Sequence, residues 1–152
     1  MPRVLTEKEA LTHGISTHHE QMDNGELRFR LIANDGSSCV RIQAPDSGRW
    51  QNSHFHEALS ELYVVQKGWI VFVEYGRATG TCSFQKIQTG ETCLSRADVP
   101  HNVYLTVDSA HYCVKFGALA ANDWIAFPAL DELTKHLSEE DIENMLCKGG
   151  TK

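Results

Sequence analysis

The sequence predicts an all-β domain, a sandwich or barrel, followed by two short helices near its C-terminal end. Three observations carry that expectation. From about residue 26 to 117, short β-prone runs are punctuated by turn residues such as Asn34-Asp35-Gly36-Ser37, Pro45-Asp46-Ser47-Gly48, Lys67-Gly68 and Thr89-Gly90. Inside those runs the apolar residues alternate, Val40 with Ile42, Trp69 with Val71 and Val73, and Val103 with Leu105 and Val107, as on half-buried strands. Beyond Gly117 the spacing turns helical over residues 124–133 and 138–146.

Taken in order, residues 6–12 carry an incomplete capping signal and predict at most a weak helix ending at Gly14. The strand-rich core over 26–117 follows. Its last run, residues 111–117, could turn either His111, Cys113 and Lys115 or Tyr112, Val114 and Phe116 to the interior, and the apolar set is the expected one. Ser138-Glu-Glu-Asp reads as a capping box opening the second C-terminal helix, and residues 148–152 read as a frayed tail. The helices, expected over about 121–147, should pack against the barrel, and the whole chain, 1–152, should form one domain. A homodimer is expected, two-fold pairs being the commonest symmetric assembly.

Composition narrows the function classes. An apolar share of 41% and a charged share of 22% belong to a folded globular chain rather than a disordered or fibrous one. The formal charge of −6, with no stripe of Lys and Arg, argues against nucleic acid as a partner. The N-terminal residues lack an apolar signal core, and the longest apolar run, residues 69–73, is too short to cross a bilayer, so a cytoplasmic protein with no membrane partner is expected. Five cysteines, Cys39, Cys82, Cys93, Cys113 and Cys147, include no Cys-x-x-Cys pair and are expected to be reduced thiols packed as small hydrophobes.

The residues with the most chemical content are histidines. His54 and His56 stand two apart in the extended segment Trp50-Gln-Asn-Ser-His-Phe-His, where i and i+2 project from one strand face about 7 Å apart. Glu61 is out of phase with them, so residues 57–60 must form a turn or bulge that resets the parity and brings Glu61, Tyr63 and Val65 to one face. His101 follows Pro100, which fixes its approach, and can meet the others only across a fold. Imidazoles with one carboxylate suit a single divalent transition ion, Fe, Mn, Ni, Cu or Zn, with open positions left for a small-molecule substrate. The same parity places Trp50 and Asn52 on the His54 face as pocket walls and makes Tyr63 a candidate catalytic proton donor. Tyr104 is out of step with His101 and should face away. His18 and His19 point to opposite faces of any strand, and with His13 and His136 they read as surface histidines.

The spacing Gly48, five residues, His54, one, His56, four, Glu61, six, Gly68 resembles the first motif of the cupin family at every position. Gly90 and His101 match its second motif, while Arg96 and Asp98 stand where that motif usually has Pro and Gly. Membership in this family would imply a double-stranded β-helix, the jelly-roll barrel, with His54, His56, Glu61 and His101 holding a metal in its mouth. It would further imply metal-dependent chemistry on an oxygen-rich small substrate, dioxygenase-like or Lewis-acid in kind. A sugar isomerase or epimerase, and a metal-dependent binding module without chemistry, are the alternatives the same scaffold allows. For a phosphorylated substrate, Arg41, Arg49 and Arg96 are the basic residues the sequence offers.

Overall fold

A computed structural model describes residues 1–117 and 123–148. Two antiparallel sheets face one another. The first sheet runs β1 (Ile15–Gln21), β2 (Leu27–Ala33), β3 (Ser38–Gln43), β11 (Ala110–Gly117), β6 (Leu59–Lys67), β9 (Thr92–Ser95). The second runs β12 (Ile125–Ala126), β5 (His54–Phe55), β10 (His101–Leu105), β7 (Trp69–Gly76), β8 (Thr81–Gln88), with β4 (Arg49–Trp50) also on β10. Neighbours distant in sequence, such as β3 with β11 and β5 with β10, make this the jelly-roll arrangement that the motif spacing implies.

Between the sheets lies one core of Val40, Ile42, Tyr63, Val65, Ile70, Phe72, Ile87, Val103 and Leu105. A second apolar layer covers the outside of the second sheet, where Trp50, Val71, Val73 and Tyr104 pack against Leu130 and Ile142 of the helices α2 (Pro128–Thr134) and α3 (Glu139–Cys147). This explains the unbroken apolar run in β7: its even residues Ile70 and Phe72 fill the barrel, and its odd ones meet the helices. Tyr104 faces that outer layer, as its parity predicts.

The helices depart from expectation in two places and one strand end in a third. α1 (Glu7–Thr12) has a complete capping box, because Glu9, at the third helical position, accepts from the Thr6 backbone N–H while Thr6 accepts from the Glu9 N–H. α2 begins at Pro128, and Ile125–Ala126 pair with β5 as a strand; the start of the helical segment near residue 121 lies outside the described residues. Val107 lies beyond the end of β10, half exposed, just before Asp108, which turns the chain at φ 58°. Ser138 and Asp141 form the capping box read from the sequence. All five cysteines are free. Among the described residues no helix is long and apolar enough to cross a membrane.

The correction that matters most concerns β11. Its interior residues are His111, Cys113 and Lys115, and Tyr112, Val114 and Phe116 lie on the outer face. Register decides this. Lys115 is paired with Glu61, Cys113 with Tyr63 and His111 with Val65, and cross-strand partners share a face, so an inward Glu61 takes Lys115 in with it.

Candidate metal centre

Glu61, on the first sheet, meets His54, His56 and His101, carried by β5 and β10 or their edge, at one end of the barrel. His54 and His101 are directly paired across β5 and β10, which joins residues forty-seven apart in the chain. Ligand atoms of His54, Glu61 and His101 all lie within 4.8 Å of one another. From the Glu61 carboxylate, Nε2 of His101 is 2.8 Å away, Nε2 of His56 3.3 Å and Nε2 of His54 3.5 Å. All four side chains are buried.

Each imidazole is aimed by its other nitrogen. His54 Nδ1 lies 3.0 Å from the Asn52 carbonyl, His101 Nδ1 lies 2.9 Å from both the Val99 carbonyl and Ser95 Oγ, and His56 Nδ1 meets the Asp123 carbonyl. With Nδ1–H given to an oxygen, each Nε2 is a lone pair directed at the Glu61 carboxylate, those of His54 and His101 at Oε2 and that of His56, outside the 4.8 Å group, at Oε1, where Lys115 Nζ also lies. Three lone pairs and a carboxylate converging in a buried space are satisfied by a cation, and the orientation of ligand histidines by backbone carbonyls is the usual arrangement at metal sites. The donor set fits one divalent transition ion.

The electrostatics agree. Burial by itself would raise the Glu61 carboxyl, but hydrogen bonds from His101, His54 and His56 outweigh it and hold the group well below the usual carboxylate range. Burial lowers His54, favouring the neutral ring that binds metal. Tyr63 donates to Glu61 Oε2 at 2.9 Å and lies 3.3 Å from His101 Nε2; burial and the Glu61 charge push its phenol well above its ordinary value.

The parity reset between His56 and Glu61 has a visible cause. The Asp123 carboxylate accepts the backbone N–H groups of Glu57, Ala58 and Leu59 at 2.7 to 2.9 Å, fixing the bend that returns Glu61 to the inward face. Ahead of His101, Asp98 takes φ 63°, the left-handed conformation for which the family motif normally supplies glycine.

Of the two expected pocket walls, Asn52 lines the cavity and Trp50 lies elsewhere. Trp50 faces the helices, its indole N–H donating to the Leu137 carbonyl at 3.0 Å, because residues 51–53 leave strand geometry and break the parity that links it to His54. Asn52 is exposed at the cavity rim, where its side chain accepts from Lys135 Nζ at 2.6 Å while its carbonyl holds His54. The indole beside the site is that of Trp124, stacked on His54 at 5.3 Å between ring centroids. Lys115 is a further unanticipated neighbour, with Nζ 3.3 Å from Glu61 Oε1 and 3.4 Å from His56 Nε2. Its alternation with Cys113 was the available signal, masked by the apolar character of the opposite set.

A cavity of about 500 Å³ opens from the histidines along the inside of the first sheet, lined by Val40, Ile42, Leu59 and Gln51 and bordered by Arg28 and Arg30. Of the basic residues read from the sequence, none lines it: Arg41 bonds Gln43 and Gln66 on the outer face, and Arg49 and Arg96 are exposed. The histidines at positions 13, 18, 19 and 136 are on the surface.

No family model matches the sequence, and no curated protein matches it either. Solved structures do match in fold. The oxalate decarboxylase of Lactobacillus farciminis, as its formate complex, superposes with a TM-score of 0.59 at 14% identity, covering 86% of this chain and 38% of that one. A deletion mutant of Bacillus subtilis oxalate decarboxylase gives 0.60 at 12% identity over 84% of this chain and 36% of its own. A tryptophan-to-phenylalanine mutant of the B. subtilis enzyme gives 0.60 at 13%, over 84% and 37%. The chain thus spans less than two-fifths of the length of these solved chains.

Proposed function

We propose, from the premise that this chain has the cupin fold, that it is a metal-dependent enzyme acting on a small oxygen-rich substrate by dioxygenase-like or Lewis-acid chemistry. The observation that carries the reading is the convergence of three imidazole nitrogens on the Glu61 carboxylate at the end of a cavity of about 500 Å³. His54, His56, Glu61 and His101 would hold one divalent transition ion. Such an ion polarises coordinated oxygens or brings dioxygen and substrate together. The B. subtilis oxalate decarboxylase, which shares the fold at 12% identity, carries Mn(II) centres, so manganese stands beside iron, nickel, copper and zinc as a candidate.

The chain's own residues do the rest. Tyr63 keeps its proton, because burial and the neighbouring Glu61 disfavour the phenolate, and is the candidate donor to a substrate oxygen bound beside His101. Trp124 covers the outer face of His54 and narrows the entrance to water. Lys115, inside the cavity next to Glu61, supplies a positive charge where an anionic substrate oxygen would lie.

The test starts with protein stripped by chelator, reloaded separately with each candidate ion, and compared with a His54→Ala, His101→Ala double variant by elemental analysis. Wild type should retain about one equivalent and the variant none. Oxygen consumption or substrate turnover by the loaded protein, lost in Tyr63→Phe at undiminished metal content, would support the enzyme reading. Metal retention with saturable ligand binding and unchanged ligand would replace it with a binding module.

A further inference from the structure

The strand β2 is inverted. A strand on a barrel wall normally turns its apolar residues inward, yet Phe29 and Leu31 lie on the outer face, 40% and 49% exposed, while Arg28 and Arg30 border the cavity. Two guanidinium groups facing a barrel interior are costly unless they meet anions. Arg28 is matched by the fully buried Glu26, which Gln51 also holds through its amide at 2.9 Å. Arg30 is matched by Glu20 at 2.6 Å, a residue of the edge strand β1 that shares the face of Arg28 by register yet keeps its side chain 38% exposed. One carboxylate uses at most two of the five N–H donors of Arg30.

Register places these groups relative to the metal end. Across the inner face of the sheet, Arg30 pairs with Val40, Val40 with Cys113, and Cys113 with Tyr63. The next row inward from the mouth reads Arg28, Ile42, His111, Val65, and the row at the metal end reads Ile32, Ser38, Lys115, Glu61. From β6, which carries Glu61, to β2 is three strand spacings, roughly 14 Å. The floor between them is apolar, Val40 and Ile42, with Leu59 and Ile32 at the sides. A cavity of about 500 Å³ is far larger than a two-carbon diacid requires and falls in the range that holds an extended small molecule.

We infer that the substrate is an elongated oxyacid, with chelating oxygens at the histidine end, an apolar middle over Val40 and Ile42, and a second anionic group at Arg30, steadied by Arg28. This rests on the metal reading above and adds the substrate class to it. Exchange of Glu20 for the ligand's anion frees no buried charge, since Glu20 returns to water, whereas Arg28 stays locked to Glu26 and acts as a fixed support.

Calorimetric titration of Mn(II)-loaded protein tests it with three probes: 2-oxoadipate, 2-oxohexanoate, which lacks the distal carboxylate, and oxalate, which is too short to reach β2. The diacid should bind about tenfold or more tighter than 2-oxohexanoate. Arg30→Gln should erase that preference while leaving metal content and oxalate affinity unchanged; Arg30→Lys should keep part of it, and Glu20→Gln should enlarge it. Equal affinity for the two six-carbon acids in metal-loaded wild type, or a preference that survives in Arg30→Gln, overturns the substrate class alone. Protein that neither loads metal nor binds oxalate overturns both readings together.

Discussion

Replacing His111 by leucine should make the protein markedly less sensitive to acid. His111 is fully buried beside Tyr63, and neither ring nitrogen has a hydrogen-bond partner among the described residues. Burial, reinforced by the charge of Arg28 and only partly opposed by Glu61, lowers its pKa from the ordinary 6.5 to about 3. The unfolded chain therefore takes up a proton below pH 6.5 that the folded chain refuses until about pH 3, and stability falls with pH throughout that window. The slope from this residue is about 1.4 kcal/mol per pH unit, so between pH 7.5 and 5.0 it contributes a loss of about 2 kcal/mol. Leucine carries no proton and removes two unsatisfied nitrogens from the core. Urea unfolding of metal-free wild type and His111→Leu at both pH values gives the double difference, in which Glu61 and every other titrating group cancels to first order. The midpoints should separate by about 1 M more at pH 5.0 than at pH 7.5. If the two midpoints fall in parallel, His111 either finds a partner or titrates normally, and the reasoning fails.

Glu61→Gln should lose metal to dialysis against a chelator that wild type withstands, an affinity loss of about a hundredfold or more seen by elemental analysis, since the carboxylate of the cluster becomes neutral. Asp123→Ala removes the acceptor of three backbone N–H groups and should cost about 2–4 kcal/mol by urea unfolding. Asp98→Gly should leave stability within about 0.5 kcal/mol, because glycine accepts φ 63° and the exposed Arg77 pair contributes little, whereas Asp98→Val should cost about 1–2 kcal/mol.

Much of the fold was legible because turn chemistry and alternation are local. The Gly- and Asp-bearing turns and the alternating runs of β3, β6 and β10 answer to the same period-2 geometry that the sheets display. The grouping of His54, Glu61 and His101 was legible through motif spacing. What escaped depends on pairing that no window of sequence contains. The inward turn of Lys115 follows from its register with Glu61, fifty-four residues earlier. Trp50 misses the cavity because the chain leaves strand geometry for three residues, a local break that parity counting carries straight across. Trp124 reaches His54 because residues 125–126 join β5 as a strand, where helical spacing had suggested a helix. The inverted pattern of β2, charges inward and Phe29 and Leu31 outward, reads as an ordinary amphipathic strand until its neighbours are known.

Asp123 has a thermodynamic role beyond its contacts. It comes from the C-terminal third of the chain, yet its carboxylate shapes the bend ahead of Glu61 and its carbonyl aims His56. Docking of that part of the chain and capture of the ion are therefore one linked equilibrium, and linkage runs equally in both directions. Each tenfold that a docked Asp123 adds to metal affinity must appear as about 1.4 kcal/mol by which bound metal resists undocking. Amide hydrogens of Glu57, Ala58 and Leu59 would report that exchange directly, slowing on metal addition although none of them touches the ion.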